Sequence, residues 1–358
     1  MYEKTLEREY QRAKKVPLTR IAYEGSEIVL FRADQLAAGV KTAIGRALVA
    51  LAIDRGQITH KTRALVVQGA GNTVTAVHEA VQERRRRLEV IAVVYEETSR
   101  RVRDRLLARG IRVVSGPTRS QGQEGRKGTV LELWRDNPAY VPLEQHEEPL
   151  IVDIQCQTLG LRIDEELEND GTPPTHLVAG VGTGGTLFGL SYGARQLYPG
   201  IKIIGLEGVG STLSLWHAYL RVKGQGFEKE RAAIERALVQ YRNAGMVTKL
   251  TCFPEADPDG WFDITVDFPA DMSGTLGIEG LGVGNPTKLI LKHLRKLTRV
   301  EIITDEQAAQ GVLALSKHGI SAVESAGANM FIAMRIAERQ AQRGQAGAKI
   351  VTVVTAAR

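Results

Sequence analysis

The amino-acid sequence predicts an α/β protein whose sheets are mostly parallel and covered by helices on both faces. Three observations carry this. Short strands alternate with amphipathic helices along most of the 358 residues. The strands read as continuous apolar runs rather than as an in–out alternation, the mark of strands buried on both faces. Several end in glycine turns that open a helix at once, where open α/β sheets bind ligands.

The elements follow in order. Ile28–Phe31 reads as a strand and Thr42–Ile53 as a helix ended by Gly56. Ala64–Val67 is a buried-type strand and Asn72–Arg85 a helix. Leu88–Tyr95 is a strand, Ser99–Ala108 a helix closed by Gly110, and Ile111–Val114 a strand. His176–Val181 is an apolar run that stops in Gly182-Thr183-Gly184-Gly185-Thr186, after which Leu187–Leu197 is helical. Ile201–Leu206, Arg299–Ile303 and Lys349–Val354 read as strands, and Asp305–Lys317 and Gly327–Gln340 as helices. His217–Asp271 breaks the rhythm. It is long, polar and punctuated by Gly and Pro, with a helix at Glu228–Ala244 followed by Pro254–Trp261, and reads as an inserted subdomain or lid.

Composition narrows the function classes. The chain is long enough for two domains or one large unit. Its 43% hydrophobic and 25% charged residues suit a globular protein. No apolar run is long enough to span a bilayer, and the charged first ten residues lack a signal core. Cys156 and Cys252 make no disulfide framework, so reduced thiols and a cytoplasmic location are expected. Much of the net charge of +6 sits in Arg84–Arg87 and in Arg100, Arg101, Arg103 and Arg105. These lie on helical patterns without interleaved aromatics, so they read as solvated helix faces rather than a nucleic-acid platform.

Gly182–Thr186 places several backbone N–H groups at the positive end of a helix dipole, with Thr183 and Thr186 adding hydroxyls: a phosphate cradle. Gly180-Val-Gly182-Thr-Gly184-Gly185 also satisfies G-x-G-x-x-G, with Glu207 further on in reach of a ribose, as in a nicotinamide-dependent dehydrogenase. The motif alone leaves both readings open. Lys41 follows a strand and a small-residue loop at the start of a helix, where the dipole helps depress an amine pKa as covalent chemistry requires; alone it also fits a surface lysine. Gln68-Gly-Ala-Gly-Asn-Thr73 is a second glycine turn after a strand, with Asn72 placed to cap its helix or to face a ligand. Ser325, in Val323-Glu-Ser-Ala-Gly-Ala328, offers the same two roles.

Taken together, in this order and at these spacings, the motifs resemble the fold-type II pyridoxal-phosphate enzymes, the tryptophan synthase β superfamily, and most closely its cysteine synthase-like branch. The resemblance runs from Pro17-Leu-Thr-Arg20 to Val354. It rests on the Gly-Asn-Thr loop at Asn72, on Gln145 in Glu144-Gln-His-Glu-Glu-Pro149, on Gly182–Thr186, and on Gly277–Gly284, which resembles the branch's glycine-rich segment at the site entrance.

The resemblance implies two mostly parallel α/β domains with pyridoxal 5′-phosphate in the cleft: a smaller one over 46–150, and a larger one of 1–45 plus 151–358 carrying the 217–271 insertion. It implies a homodimer and no metal. Lys41 would form the internal aldimine and exchange the Cα proton. Asn72 would bond the cofactor's phenolic oxygen, Gly182, Thr183, Gly184, Gly185 and Thr186 its phosphate, and Ser325 its ring nitrogen. Gly69, Ala70, Gly71, Thr73 and Gln145 would bind the substrate carboxylate. A serine at the ring nitrogen favours β-chemistry over transamination. The implied reaction is β-replacement on an O-activated serine by sulfide, a thiol or an amine, in a specialised biosynthetic pathway. A serine/threonine dehydratase-like lyase, a non-catalytic binding protein and a dehydrogenase are the alternatives.

The sequence also departs from the branch's pattern. Leu36-Ala-Ala-Gly39 replaces its Asn-Pro-x-Gly-Ser. Gly69-Ala70 replaces a Thr-Ser pair whose hydroxyls help hold the carboxylate. Glu148 replaces an Asn and is expected to bring a carboxylate near the mouth.

Overall fold

Two sheets organise the chain. The structure is a computed structural model that describes residues 1–69, 71–84, 87–118, 122–243, 249–253, 263–267, 278, 280–282 and 286–357. Its strands are β1 (Leu18–Tyr23), β2 (Ser26–Phe31), β3 (Ala64–Gln68), β4 (Glu89–Val94), β5 (Arg112–Ser115), β6 (Tyr140–Leu143), β7 (His176–Gly180), β8 (Lys202–Gly208), β9 (Lys249–Phe253), β10 (Asp263–Asp267), β11 (Arg299–Ile303) and β12 (Lys349–Val353). The helices are α1 (Tyr2–Ala13), α2 (Thr42–Asp54), α3 (Asn72–Glu83), α4 (Arg100–Ala108), α5 (Gly122–Asp136), α6 (Leu150–Gln155), α7 (Leu161–Asn169), α8 (Gly185–Leu197), α9 (Leu213–Val222), α10 (Phe227–Asn243), α11 (Lys288–Leu294), α12 (Asp305–Lys317) and α13 (Glu324–Gln342). A π-helical turn, Cys156–Gly160, joins α6 to α7.

The larger sheet runs β1-β2-β12-β7-β8-β11 and the smaller β5-β4-β3-β6. The smaller is parallel throughout, as is the larger from β2 to β11. The exception within the mostly parallel larger sheet is the edge strand β1, which returns antiparallel onto β2. Glu24 and Gly25 lie between these strands with φ of 46° and 68°. Two successive left-handed residues make the turn whose twist suits a tight hairpin. β9 and β10 also pair antiparallel.

Strand period sets the packing. Val29, Phe31, Leu177, Ala179 and Ile203 face one core, shared with α2, α8 and α9. Ile28, Leu30, Val178, Ile204 and Leu206 face the other, under α12 and α13. Gly327, expected to open a helix, lies inside α13: a Cβ there would sit 2.2 Å from the Ala308 carbonyl oxygen, so the glycine serves close packing of α12 on α13. Residues 217–241 of the expected insertion contribute Tyr219, Ile234, Leu238 and Tyr241 to the first core. Residues 244–248, 254–262 and 268–277, including Pro254–Trp261, lie outside the described residues.

Within the expected solvated arginine faces, Arg103 instead donates to the carbonyls of Tyr95, Glu96 and Thr98, at 2.8–3.0 Å, and to the Ser115 hydroxyl, so it clamps a loop. Among the described residues no helix is long and apolar enough to cross a membrane.

Candidate active site

A cleft of about 600 Å³ opens where the C-terminal ends of β3, β7 and β12 meet the loop after β2. It is lined by Lys41, Gly69, Gly71, Asn72, Thr73, Gln145, Gly182, Thr183, Gly184, Thr186 and Ser325, so residues far apart in the chain converge. Its size suits a small ligand. Gly185 does not line it; that residue packs against Ile151, and Ala70 lies outside the described residues.

The turn after β7 is built for an anion. Gly184 sits at φ 85° as the N-cap of α8, and no side chain caps the helix. The first N–H groups of α8 therefore lack intrahelical acceptors. A Cβ at Gly182 would lie 2.5 Å from the Gly280 carbonyl oxygen, and one at Gly184 2.6 Å from the Phe188 ring. Only bare backbone fits both places. Lys41 stands opposite, its Nζ donating to Thr183 Oγ1 at 3.1 Å. Burial pushes this amine down to about 8.

A family profile described as pyridoxal-phosphate dependent enzyme matches residues 12–232. The chain belongs to this family. Pyridoxal 5′-phosphate is its cofactor. Among curated proteins it is similar to the cysteine synthase of Helicobacter pylori (35% identical over 176 residues, 49% of this chain and 55% of the relative). It is also similar to an O-acetylserine-dependent cystathionine β-synthase of Bacillus subtilis (31% over 178 residues, 49% and 55%). The chain thus spans about half the length of the curated relatives it matches. Among solved structures, its fold resembles the O-acetylserine-dependent cystathionine β-synthase from Helicobacter pylori (TM-score 0.69, 23% identity, 97% of this chain and 94% of the other). O-ureido-L-serine synthase is similarly close (TM-score 0.70, 18%, 98% and 91%). The fold is that of the fold-type II enzymes.

The donor set of this pyridoxal-phosphate enzyme fits its cofactor: an uncapped helix N-terminus between bare glycines for the phosphate, and a depressed amine across from it. The dinucleotide reading fails on Glu207. That carboxylate is fully buried and accepts from the backbone N–H groups of Leu213 and Ser214, at 2.7 and 3.0 Å, and from the Tyr241 hydroxyl at 2.6 Å. It faces the core and reaches no ribose.

Other expectations are also corrected. Gly71, not Asn72, is the N-cap of α3, so the Asn72 amide is spared that duty and lines the cleft. Val323 is the N-cap of α13, and Ser325 shares a 2.8 Å hydrogen bond with Thr355. Gln145, by contrast, lines the cleft; its Oε1 accepts from Thr73 at 2.7 Å and its Nε2 donates to the Gln68 carbonyl at 2.9 Å. Glu148 pairs with Arg55 at 2.7 Å and does not line the cleft.

Several residues with a part in the site carried no signal in the sequence reading. Buried Gln155 donates to the Val40 carbonyl at 2.6 Å, fixing the residue before Lys41 from α6. Fully buried Asn329 accepts from the Gly180 N–H and donates to the Val353 carbonyl, both at 2.9 Å, and so joins the ends of β7 and β12. The Val40 N–H donates to the Thr355 carbonyl at 2.9 Å. Of the expected entrance segment Gly277–Gly284, the described Gly280 and Gly282 line the cleft against the phosphate turn. Among the described residues no cluster of His, Cys, Asp and Glu has the makings of a metal site.

Proposed function

We propose that this protein catalyses β-replacement on an O-activated serine, of the O-acetylserine kind. The observation that carries the proposal is Lys41 Nζ, depressed in pKa and 3.1 Å from Thr183, at the mouth of the phosphate turn. Gly182, Thr183, Gly184 and Thr186 hold the cofactor phosphate; Asn72 holds its phenolic edge and Ser325 its ring nitrogen. When bound, the cofactor withdraws electrons from the bonds at the amino acid's Cα. Lys41 takes the Cα proton and later returns it, which an amine near its neutral form does at physiological pH. Loss of the leaving group from Cβ and addition of a nucleophile there complete the exchange. The Ser325 hydroxyl carries no charge to keep the ring nitrogen protonated, which disfavours a long-lived carbanion. Backbone N–H groups of Gly71 and Thr73 take the share of the carboxylate that Gly69 and Ala70 lack hydroxyls to hold.

The similarity to cysteine synthases supports the leaving group and the reaction class. With this reading go a division into units of 46–150 and of 1–45 plus 151–358, a homodimer and a cytoplasmic location. The test is incubation of the cofactor-loaded protein with O-acetylserine, with and without sulfide. Cysteine and acetate in equal amounts are expected. Pyruvate and ammonia regardless of sulfide would replace this reading with elimination, and no consumption of O-acetylserine with any nucleophile would end it.

A further inference from the structure

In the small sheet's half of the cleft, the side chains that the resemblance assigns to a substrate carboxylate carry little donor capacity and no charge. Gln145 is tied to Thr73 and Gln68. Gly69 and Ala70 offer no hydroxyl. The same half of the cleft holds two residues outside the assignment above. Arg126, on α5, lines it and is only 8% exposed, with its guanidinium carbon 4.0 Å from the centre of the Tyr95 ring. Stacking on an aromatic fixes where the fork of N–H donors sits, and that fork matches a carboxylate with two parallel bonds. His146, just past the end of β6, also lines the cleft and is 8% exposed.

His146 Nδ1 is buried and has no hydrogen-bond partner among the described residues. A buried nitrogen left bare is less costly as a lone pair than as an N–H, so the proton belongs on Nε2. Burial, with Arg126 and Lys41 adding positive charge, pushes this imidazole down to about 3. At neutral pH it is therefore uncharged: a hydrogen-bond donor and a poor proton acceptor. Both residues lie at the C-terminal edge of the parallel small sheet, beside the turn that carries Asn72.

We propose that Arg126 and His146 form a carboxylate-binding subsite of this cleft, with Arg126 supplying charge and bidentate geometry and His146 one neutral N–H. The proposal rests on the β-replacement reading for its choice of ligand. Two substrates could bring the carboxylate: the donor amino acid, through its α-carboxylate, or an incoming nucleophile that carries one.

The test uses the cofactor-loaded protein and pairs of probes that differ only in the carboxylate. L-serine against L-serinamide represents the donor; 3-hydroxypropionate against propane-1,3-diol represents the nucleophile. Binding of each is measured by calorimetry for the parent, Arg126→Met, Arg126→Lys and His146→Phe. The parent is expected to prefer the carboxylate in at least one pair by roughly ten- to hundredfold, the range of hydrogen bonds to a charged group. Arg126→Met should collapse that preference, Arg126→Lys should restore part of it, and His146→Phe should erode it less. The pair that responds identifies the source. Equal binding within both pairs, or a preference that Arg126→Met leaves intact, overturns the proposal. Retention of bound cofactor shows that each variant is folded. Carboxylate binding that depends on Arg126, in a protein that consumes no O-acetylserine, would sustain the subsite and refute the replacement chemistry.

Discussion

The depressed amine of Lys41 has a kinetic signature. Burial lowers its pKa to about 8, against roughly 10.4 for an exposed lysine. Only the neutral amine attacks an aldehyde. At pH 7 about a tenth of Lys41 is neutral, against roughly one part in 2,500 for an exposed lysine, a ~250-fold advantage. Capture of pyridoxal phosphate should therefore rise about tenfold in total from pH 7 to pH 9 and then level off, because Lys41 is by then ~90% neutral. An exposed lysine would gain about tenfold per pH unit over the same range. The assay is stopped-flow absorbance of the apoprotein mixed with pyridoxal phosphate at each pH. Dividing by the rate for a blocked lysine derivative removes the reagent's own ionisation, so the quotient should fall above pH 8. A quotient flat to pH 10 would show that Lys41 titrates like an exposed amine, and would refute the link between its burial and its reactivity. Lys41→Ala should abolish the signal.

Other perturbations follow from the same contacts. Gly184→Ala places a Cβ 2.6 Å from the Phe188 ring at φ 85°, so it should cost about 1–3 kcal/mol in urea unfolding and weaken cofactor binding at least tenfold. Gln155→Leu strips the Val40 carbonyl of its buried donor and should destabilise the apoprotein by about 1–3 kcal/mol while slowing cofactor capture. Glu207→Gln disturbs a core network that does not line the cleft, so it should lower the melting temperature and leave the dissociation constant for pyridoxal phosphate within about twofold; a dehydrogenase would instead lose nicotinamide binding. His176 is 4% exposed, and burial, with Lys202 and Arg299 nearby, pushes it down to about 4. The unfolded chain takes up that proton near pH 6.5, the folded chain only near 4. Stability is thus lost as pH falls through this window, by roughly 3 kcal/mol from this group. His176→Asn should flatten the acid limb of an unfolding-versus-pH curve.

The parts of the fold that were legible are those with a local cause. The strands at Ala64 and Arg299 and the helix at Asp305 follow from their apolar patterns, and the structure adds a Thr304–Gln307 capping box to the helix. The phosphate turn was legible because glycine has few other reasons to recur so densely after a strand. The hairpin at Glu24-Gly25 was missed because a glutamate at positive φ carries no common turn signal. β6 was missed because Pro142 reads as a breaker, although it still pairs opposite Val66. In the site, Lys41, Asn72 and Ser325 were found through motif order. Gln155, Asn329, Arg126 and His146 were not, because a buried amide or arginine on a helix looks in sequence like any exposed one; only long-range packing turns it inward. Glu148 shows the converse: its position in a motif suggested the cleft, and a cation at Arg55 claimed it.

The place of β12 bears on how the enzyme is made. This strand, over residues 349–353, lies between β2 and β7, and Thr355 just beyond it holds the Val40 N–H and the Ser325 hydroxyl. The lysine loop and the phosphate turn are thus joined through a segment that leaves the ribosome some three hundred residues after Lys41. While it is being synthesised, the small sheet has all its strands and can fold first, whereas the two halves of the cofactor site wait for their common neighbour. Nascent chains stalled before residue 349 should retain no pyridoxal phosphate however long they are incubated with it, and chains released past Thr355 should take it up. Cofactor capture would then report that translation has passed β12.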